Sequence, residues 1–243
     1  MSFLYHTFFF DPLYNALVVL FRVLPWADAG IIVVILTLIV RLILYPLSRK
    51  AVMTQVRMQE IAPELTMIKE KYKDNPQEQA QKTLALYKEK GVNPFSGILM
   101  LLIQIPVLWA IYQIFLQAGF PKINPEILYS FVKIPGDIST TFLGLINITE
   151  KSLILALLAA LTTYLQFHFS MRKQARPQGN SFGDNLTRSM QTQMKYFFPV
   201  LIFFVSYKIS GVIALYLITT NIFTIAQEIV VRRKVAPKLA ASS

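Results

Sequence analysis

The chain has 243 residues, of which 54% are hydrophobic and only 15% charged, with a mean hydropathy of +0.49, a balance that excludes an ordinary soluble domain and points to an integral membrane protein. The formal net charge is +11, yet the basic residues cluster beside apolar stretches, which argues for a lipid surface and against sequence-specific nucleic-acid binding. With no cysteine, and with His6 and His168 far apart in sequence, neither disulfides, thiolate chemistry nor a metal site has support, and no cofactor is expected.

Taken in order, residues 1–28 lack the basic region and small-residue cleavage site of a signal peptide. Asp11-Pro12 reads as an N-cap followed by proline at the first helical position. The segment from Pro12 to Leu24 is too short to span a bilayer, and Arg22 and Trp26 near its end predict a helix in the membrane interface. A core helix packed against other spans fits the same pattern.

The first predicted span covers 29–48. Its apolar run from Gly30 to Leu47 reaches about 27 Å as a helix, close to the hydrocarbon thickness. Arg41 lies well inside it, where an arginine costs at least about 2.5–3.5 kcal/mol on insertion scales. Either the side chain leans toward headgroups, or it faces a water-filled cavity between helices.

Tyr45-Pro46 closes that span, and a charged segment follows over 49–92. Met58, Ile61, Leu65, Ile68 and Tyr72 recur every three or four residues, as do Ala80, Leu84 and Tyr87, and Lys73-Asp74-Asn75-Pro76 supplies a turn. This predicts an antiparallel helical hairpin outside the membrane, with Pro63 kinking its first arm; a solvated connector is the plainer alternative. A second span over 93–117 contains Gln104 and Pro106, residues 118–151 form a mixed loop, and a third span covers 152–171 with Thr162, Thr163 and Gln166. After a polar connector over 172–195 come a short fourth span, 196–208, a fifth, 211–231, and a basic tail, 232–243.

The segments 49–92, 172–195 and 232–243 hold 9, 5 and 4 of the 24 Lys and Arg. The positive-inside rule places all three in the cytoplasm, which requires an outside N-terminus, an inside C-terminus and an odd number of spans. Five fit.

Polar residues fall on single faces of two spans: Thr37, Arg41 and Tyr45 on the first, and Thr220, Asn221, Thr224 and Gln227 on the fifth, with Glu228 beside them. They can act as glue between helices, at about 0.6 kcal/mol per contact. Arg41 shifts the balance, because Glu228 is its one acidic candidate within the spans. A pair between them is structural; without it, Arg41 faces a cationic cavity that attracts acidic groups.

Four ordered stretches, IVRLILYPLS (Ile39 to Ser48), LALYKEKGVNPFSG (Leu84 to Gly97), LLIQIPVLWAIY (Leu101 to Tyr112) and LYLITTNIFTIAQ (Leu215 to Gln227), resemble the YidC-type membrane protein insertases, which include the mitochondrial oxidase-assembly and chloroplast Albino-type proteins. The likeness runs from about Ala29 to Lys234. It implies an all-α polytopic membrane protein of five transmembrane helices around a hydrophilic groove, open to cytoplasm and lipid, with a mobile cytoplasmic hairpin. Arg41 falls on the family's groove arginine, and Gln104, Thr220, Asn221, Thr224 and Gln227 fall on its polar positions.

Two departures stand out. No large extracytoplasmic domain precedes the core, which suggests a compact bacterial form in the plasma membrane. The turn before the last span reads Lys208-Ile209-Ser210-Gly211, without the proline the family's turn carries.

The expected activity is insertion of newly made membrane proteins into the lipid bilayer, without nucleotide hydrolysis and without enzymatic chemistry, since no Walker motif or nucleophile-base pair occurs. Nascent membrane proteins are the expected partners, with the ribosome and the Sec translocon as candidates; the short tail leaves ribosome docking open. The competing readings are a small anion transporter and an assembly factor that only packs against partner helices.

Overall fold

Helices dominate because long runs of apolar residues are punctuated by strong caps. The computed structural model describes residues 2–93, 96–117, 120–171, 189 and 192–240, so most of the connector expected over 172–195 and the last three residues lie outside them. A short helix α1 (Ser2–Tyr5) passes through a π-helical turn (His6–Phe10) into α2 (Asp11–Val23), which carries Pro12 in its first turn. The buried face of α2 holds Leu13, Tyr14, Asn15, Leu17, Val18 and Phe21. It packs against α3 (Ala29–Ile43), so α2 belongs to the core of the bundle while Phe3, Phe8 and Val23 stay exposed.

The helix α3 is capped by Asp28, whose carboxylate accepts from the Ile31 amide at 2.9 Å. It ends at Ile43, and α4 (Tyr45–Glu60) departs from it at 65°. Pro46 in the first turn of α4 has no amide to continue the α3 ladder, which is why the chain bends there. After a break at Ile61, α5 (Ala62–Lys71) carries Pro63 in its own first turn and α6 (Pro76–Glu89) returns antiparallel to it.

Asn75 caps α6, accepting from the Glu78 amide at 3.2 Å. Gly91, at φ +61°, ends it: the Val92 amide reaches the Tyr87 carbonyl at 2.9 Å and the Gly91 amide that of Lys88 at 3.2 Å. The small core here consists of Ile61, Leu86 and Val92 with Met58, Leu65, Ile68 and Tyr87 against it. Ala80 and Leu84, expected on the α6 seam, are instead exposed, because α6 turns Leu86 inward one helical position from the expected stripe.

The helix α7 (Ser96–Tyr112) contains Pro106 and passes into a π turn over Gln113–Gln117. The following segment, expected as an irregular loop, holds a 3-10 turn (Pro125–Ile127) and a two-residue antiparallel pair, β1 (Thr141–Phe142) with β2 (Ile146–Asn147). Next come α8 (Leu153–Met171), a π turn (Gln193–Phe197), α9 (Phe198–Ile209) and α10 (Gly211–Ala240). The helical run before Ser210 thus begins upstream of 196, and α10 continues helically into the segment expected as a tail.

Among the described residues, Leu153–Met171 and Gly211–Arg233 are long and apolar enough to cross a membrane, and α3 with α4 makes a third if the bent pair is one span. Leu102–Phe115 is apolar but shorter. The helix α10 is central, packing on α8, α3 and α4, while α9 packs mainly on α8.

Candidate functional site

The bundle has two ends of different character. At the end carrying the 120–150 loop, the packing is dry: Leu17, Ile32, Ile114, Ile148 and Val212 are each completely buried in one continuous cluster. The loop is tied down by side chains chosen for reach. Buried Asn15 donates to the Ile127 carbonyl at 3.0 Å and accepts from the Tyr129 amide at 2.7 Å. The Tyr14 hydroxyl accepts from the Asn124 amide at 2.7 Å, and burial in this packing raises its pKa.

Asp28, besides capping α3, accepts from the Leu143 amide at 2.9 Å. Gly30 lies directly under the Phe142 ring, where a Cβ would come within 2.2 Å of a ring carbon. The Gly211 and Val212 amides at the start of α10 donate to the Glu150 and Ile148 carbonyls at 2.8 and 2.9 Å.

Arg41 sits one and a half turns beyond Leu36, where this dry packing stops. It retains 9% of its surface accessible, and Thr37 beside it retains 1%. Three helices meet around it. From α10, the buried Tyr216 ring brings its hydroxyl into electrostatic contact with Arg41, and Gln104 of α7 donates to that hydroxyl. Thr220, one turn along α10, faces the same hydroxyl in a geometry too poor for a hydrogen bond.

Among the described residues no carboxylate pairs with Arg41. Glu228 is instead engaged by Arg232, with Nε at 2.8 Å and Nη2 at 2.7 Å. The alternative in which Glu228 neutralises Arg41 therefore does not hold in this structure.

The other residues singled out in the sequence have separate tasks. Asn221 donates to Thr163 at 2.8 Å and Thr162 at 3.2 Å, joining α10 to α8. Gln227 donates to Ser48 at 2.6 Å, joining α10 to α4. Thr37 and Thr224 return their hydroxyls to their own helices, to the Val33 carbonyl at 2.6 Å and the Thr220 carbonyl at 2.8 Å. Tyr45 is partly exposed just past the bend. Arg41, Gln104 and Thr220 thus converge, whereas Asn221, Thr224 and Gln227 do not join them. Tyr216, the group on which the three converge, was not singled out, although it lies four residues before Thr220 and so on its face. Among the described residues no three His, Asp or Glu side chains gather as metal ligands.

Residues 20–238, which include Arg41, Gln104, Tyr216 and Thr220, match the family described as 60Kd inner membrane protein. The chain belongs to that family. Three similar proteins carry the name Membrane protein insertase YidC. That of Clostridium tetani is 30% identical over 209 residues, covering 86% of this chain and 84% of the relative. That of Clostridium perfringens is 34% identical over 201 residues, covering 82% and 77%. The Wolinella succinogenes protein is 30% identical over 239 residues, 98% of this chain, but the chain spans only 39% of that relative's length. Membership in the 60Kd inner membrane protein family, together with the apolar helices, makes this an integral membrane protein.

Proposed function

We propose that the protein inserts newly made membrane proteins into the bilayer, especially clients with one or two spans and short acidic outer segments. The observation that carries this reading is Arg41: a nearly buried cation with no carboxylate partner among the described residues, at the point where dry packing gives way to polar side chains. Such a charge, held in a low-dielectric surround, attracts an acidic segment far more strongly than the same charge in water. Arg41 holds that segment transiently while the client's apolar helix partitions sideways into lipid, and this partition drives the reaction without nucleotide hydrolysis. The names of the relatives support the activity, and the resemblance of the groove positions supports the mechanism.

In this reading α3 with α4, α7, α8, α9 and α10 supply five spans around a groove lined by Arg41, Thr37, Tyr45, Gln104, Thr220, Asn221, Thr224 and Gln227. The N-terminus is outside and the C-terminus in the cytoplasm, with the 120–150 loop closing the outer end. Ribosomes and the Sec translocon are candidate suppliers of clients; neither is needed for the chemistry of the groove.

The test is insertion of a short, acidic-tailed single-span client into vesicles holding only the purified protein. Wild type and Arg41→Lys should insert it, whereas Arg41→Ala should lose about tenfold or more, the equivalent of one charge-assisted contact. Equal insertion by all three removes Arg41 from the mechanism, and no insertion by wild type leaves a packing factor as the better reading.

A further inference from the structure

The bend at Leu44 makes α4 an arm set at 65° to α3. The arm packs on α7 and α10, and the side-chain hydrogen bonds that tie it to α8 and α10 come from one polar face. Of its residues, Ser48 and Val56 are buried. Ser48, Gln55 and Gln59 follow at seven and four residues and so share a face of the helix. Ser48 accepts from Gln227 of α10 at 2.6 Å, and Gln55 donates to Ser170 of α8 at 3.1 Å. Gln59 accepts from Arg232 Nη1 at 3.0 Å, while Glu228 holds the same guanidinium from its own helix.

A seam of this kind separates more readily than an apolar one, since each hydrogen bond can be exchanged for one to water. It is also imperfectly satisfied. Gln59 Nε2 is buried with no hydrogen-bond partner among the described residues, and Arg232 Nη2 approaches Glu228 closely but off the hydrogen-bonding axis. Beyond the seam, α5 and α6 have their own small core and a Glu64–Lys90 ion pair at 3.0 Å, so they form a body that can be carried by α4.

We propose that Gln59, Arg232 and Glu228 form a latch holding α4 against α10, and that its release swings the α4–α6 arm away and opens the bundle beside Arg41 to an incoming polypeptide. The role of the opening rests on the insertase reading above. The latch itself does not, and it is tested without a client. Gln59 and Arg232 are positioning residues: they act through the placement of α4.

Because the chain has no cysteine, Lys73→Cys at the turn between α5 and α6 and Lys151→Cys before α8, both exposed, accept spin labels at those two positions alone. Dipolar distances between them are measured in lipid nanodiscs for the otherwise native protein, Gln59→Leu, Gln59→Glu and Arg232→Ala. Gln59→Leu removes the acceptor and should raise the displaced population about tenfold, as loss of a hydrogen bond to a charged group does. Gln59→Glu replaces the unpartnered amide nitrogen with a second oxygen for Arg232 and should lower that population.

Opposite shifts from two substitutions at one position are not produced by general loosening of the fold. If both shift the distances the same way, or neither does, the latch is overturned; should Arg232→Ala fail to accumulate, the Gln59 pair still decides. Client insertion is assayed on the same preparations: distances that respond as stated in proteins that insert nothing uphold the latch and overturn the insertase reading instead.

Discussion

The two ends of the bundle are built from the same helices and yet are held in opposite ways. At the loop end, α2, α3, α7 and α10 bury a continuous apolar cluster, and Tyr14, Asn15 and Asp28 fasten the 120–150 segment to it. At the hairpin end, α4, α8 and α10 meet through Ser48, Thr163, Asn221, Gln227 and Arg232. The first kind of packing has one arrangement and loses much if disturbed. The second depends on a few side-chain hydrogen bonds between helices. Arg41 lies on the border between them, with apolar packing behind it and polar helix contacts ahead.

The contrast predicts unequal responses to substitution. Asn15→Ala removes both side-chain hydrogen bonds to the part-buried Ile127 carbonyl and Tyr129 amide and the packing of a buried side chain, at about 1–3 kcal/mol in all. The melting temperature of the purified protein should fall by several degrees, about 2–4 °C per kcal/mol at this size. Gly30→Ala is next. Its Cβ meets the Phe142 ring, an overpacking cost of about 1–3 kcal/mol. The double substitution Gly30→Ala with Phe142→Ala should recover part of it in the same melt, and a double variant that melts as the sum of the two single losses would break the contact as the cause.

At the hairpin end, Asn221→Ala and Gln227→Leu should each cost only about 0.6 kcal/mol, measured by a double-mutant cycle with Thr163→Ala or Ser48→Ala. A cost equal to that of Asn15→Ala would abolish the distinction between the two ends.

The smallest effect is expected at Lys90, an exposed side chain whose pKa is raised by its hydrogen bond and charge contact with Glu64. A raised lysine stabilises the folded α5–α6 body fully below its ordinary value of 10.5, and that contribution is lost as pH climbs through the raised value. Lys90→Met should therefore be slightly less stable than wild type at neutral pH, by the weak effect of an exposed pair, and circular dichroism should show the difference vanishing on the alkaline side as wild type loses the contact.

Much of the architecture was legible because membrane helices announce themselves by apolar runs and caps by residue type. The turn Lys73-Asp74-Asn75-Pro76 leads into α6, and Tyr45-Pro46 begins within two residues of the end of α3. The fastening of the loop was not legible. Asn15 and Asp28 find their loop partners 112 to 115 residues away, and no local pattern reports such a distance.

Within the site, Arg41 drew notice because a charge in an apolar run is costly, and Gln104 and Thr220 because they interrupt apolar helices. Tyr216 escaped because an aromatic ring among Leu and Ile reads as packing, and only the fold places its hydroxyl against the guanidinium. The same limit applies to Asn221 and Gln227: helical spacing put them on one face, but their amides are committed to α8 and α4.

The most direct test of a border at Arg41 uses the absence of cysteine in the chain. Single cysteines are introduced at Tyr45 and Thr224 on one side and at Val33 and Val212 on the other, and each protein in sealed vesicles is exposed to a membrane-impermeant thiol reagent from either face. Tyr45→Cys and Thr224→Cys should react from the cytoplasmic face alone, and Val33→Cys and Val212→Cys from neither. Equal protection of all four would contradict a hydrated groove reaching Arg41, and labelling of Val33→Cys or Val212→Cys from the outer face would contradict the dry seal behind it.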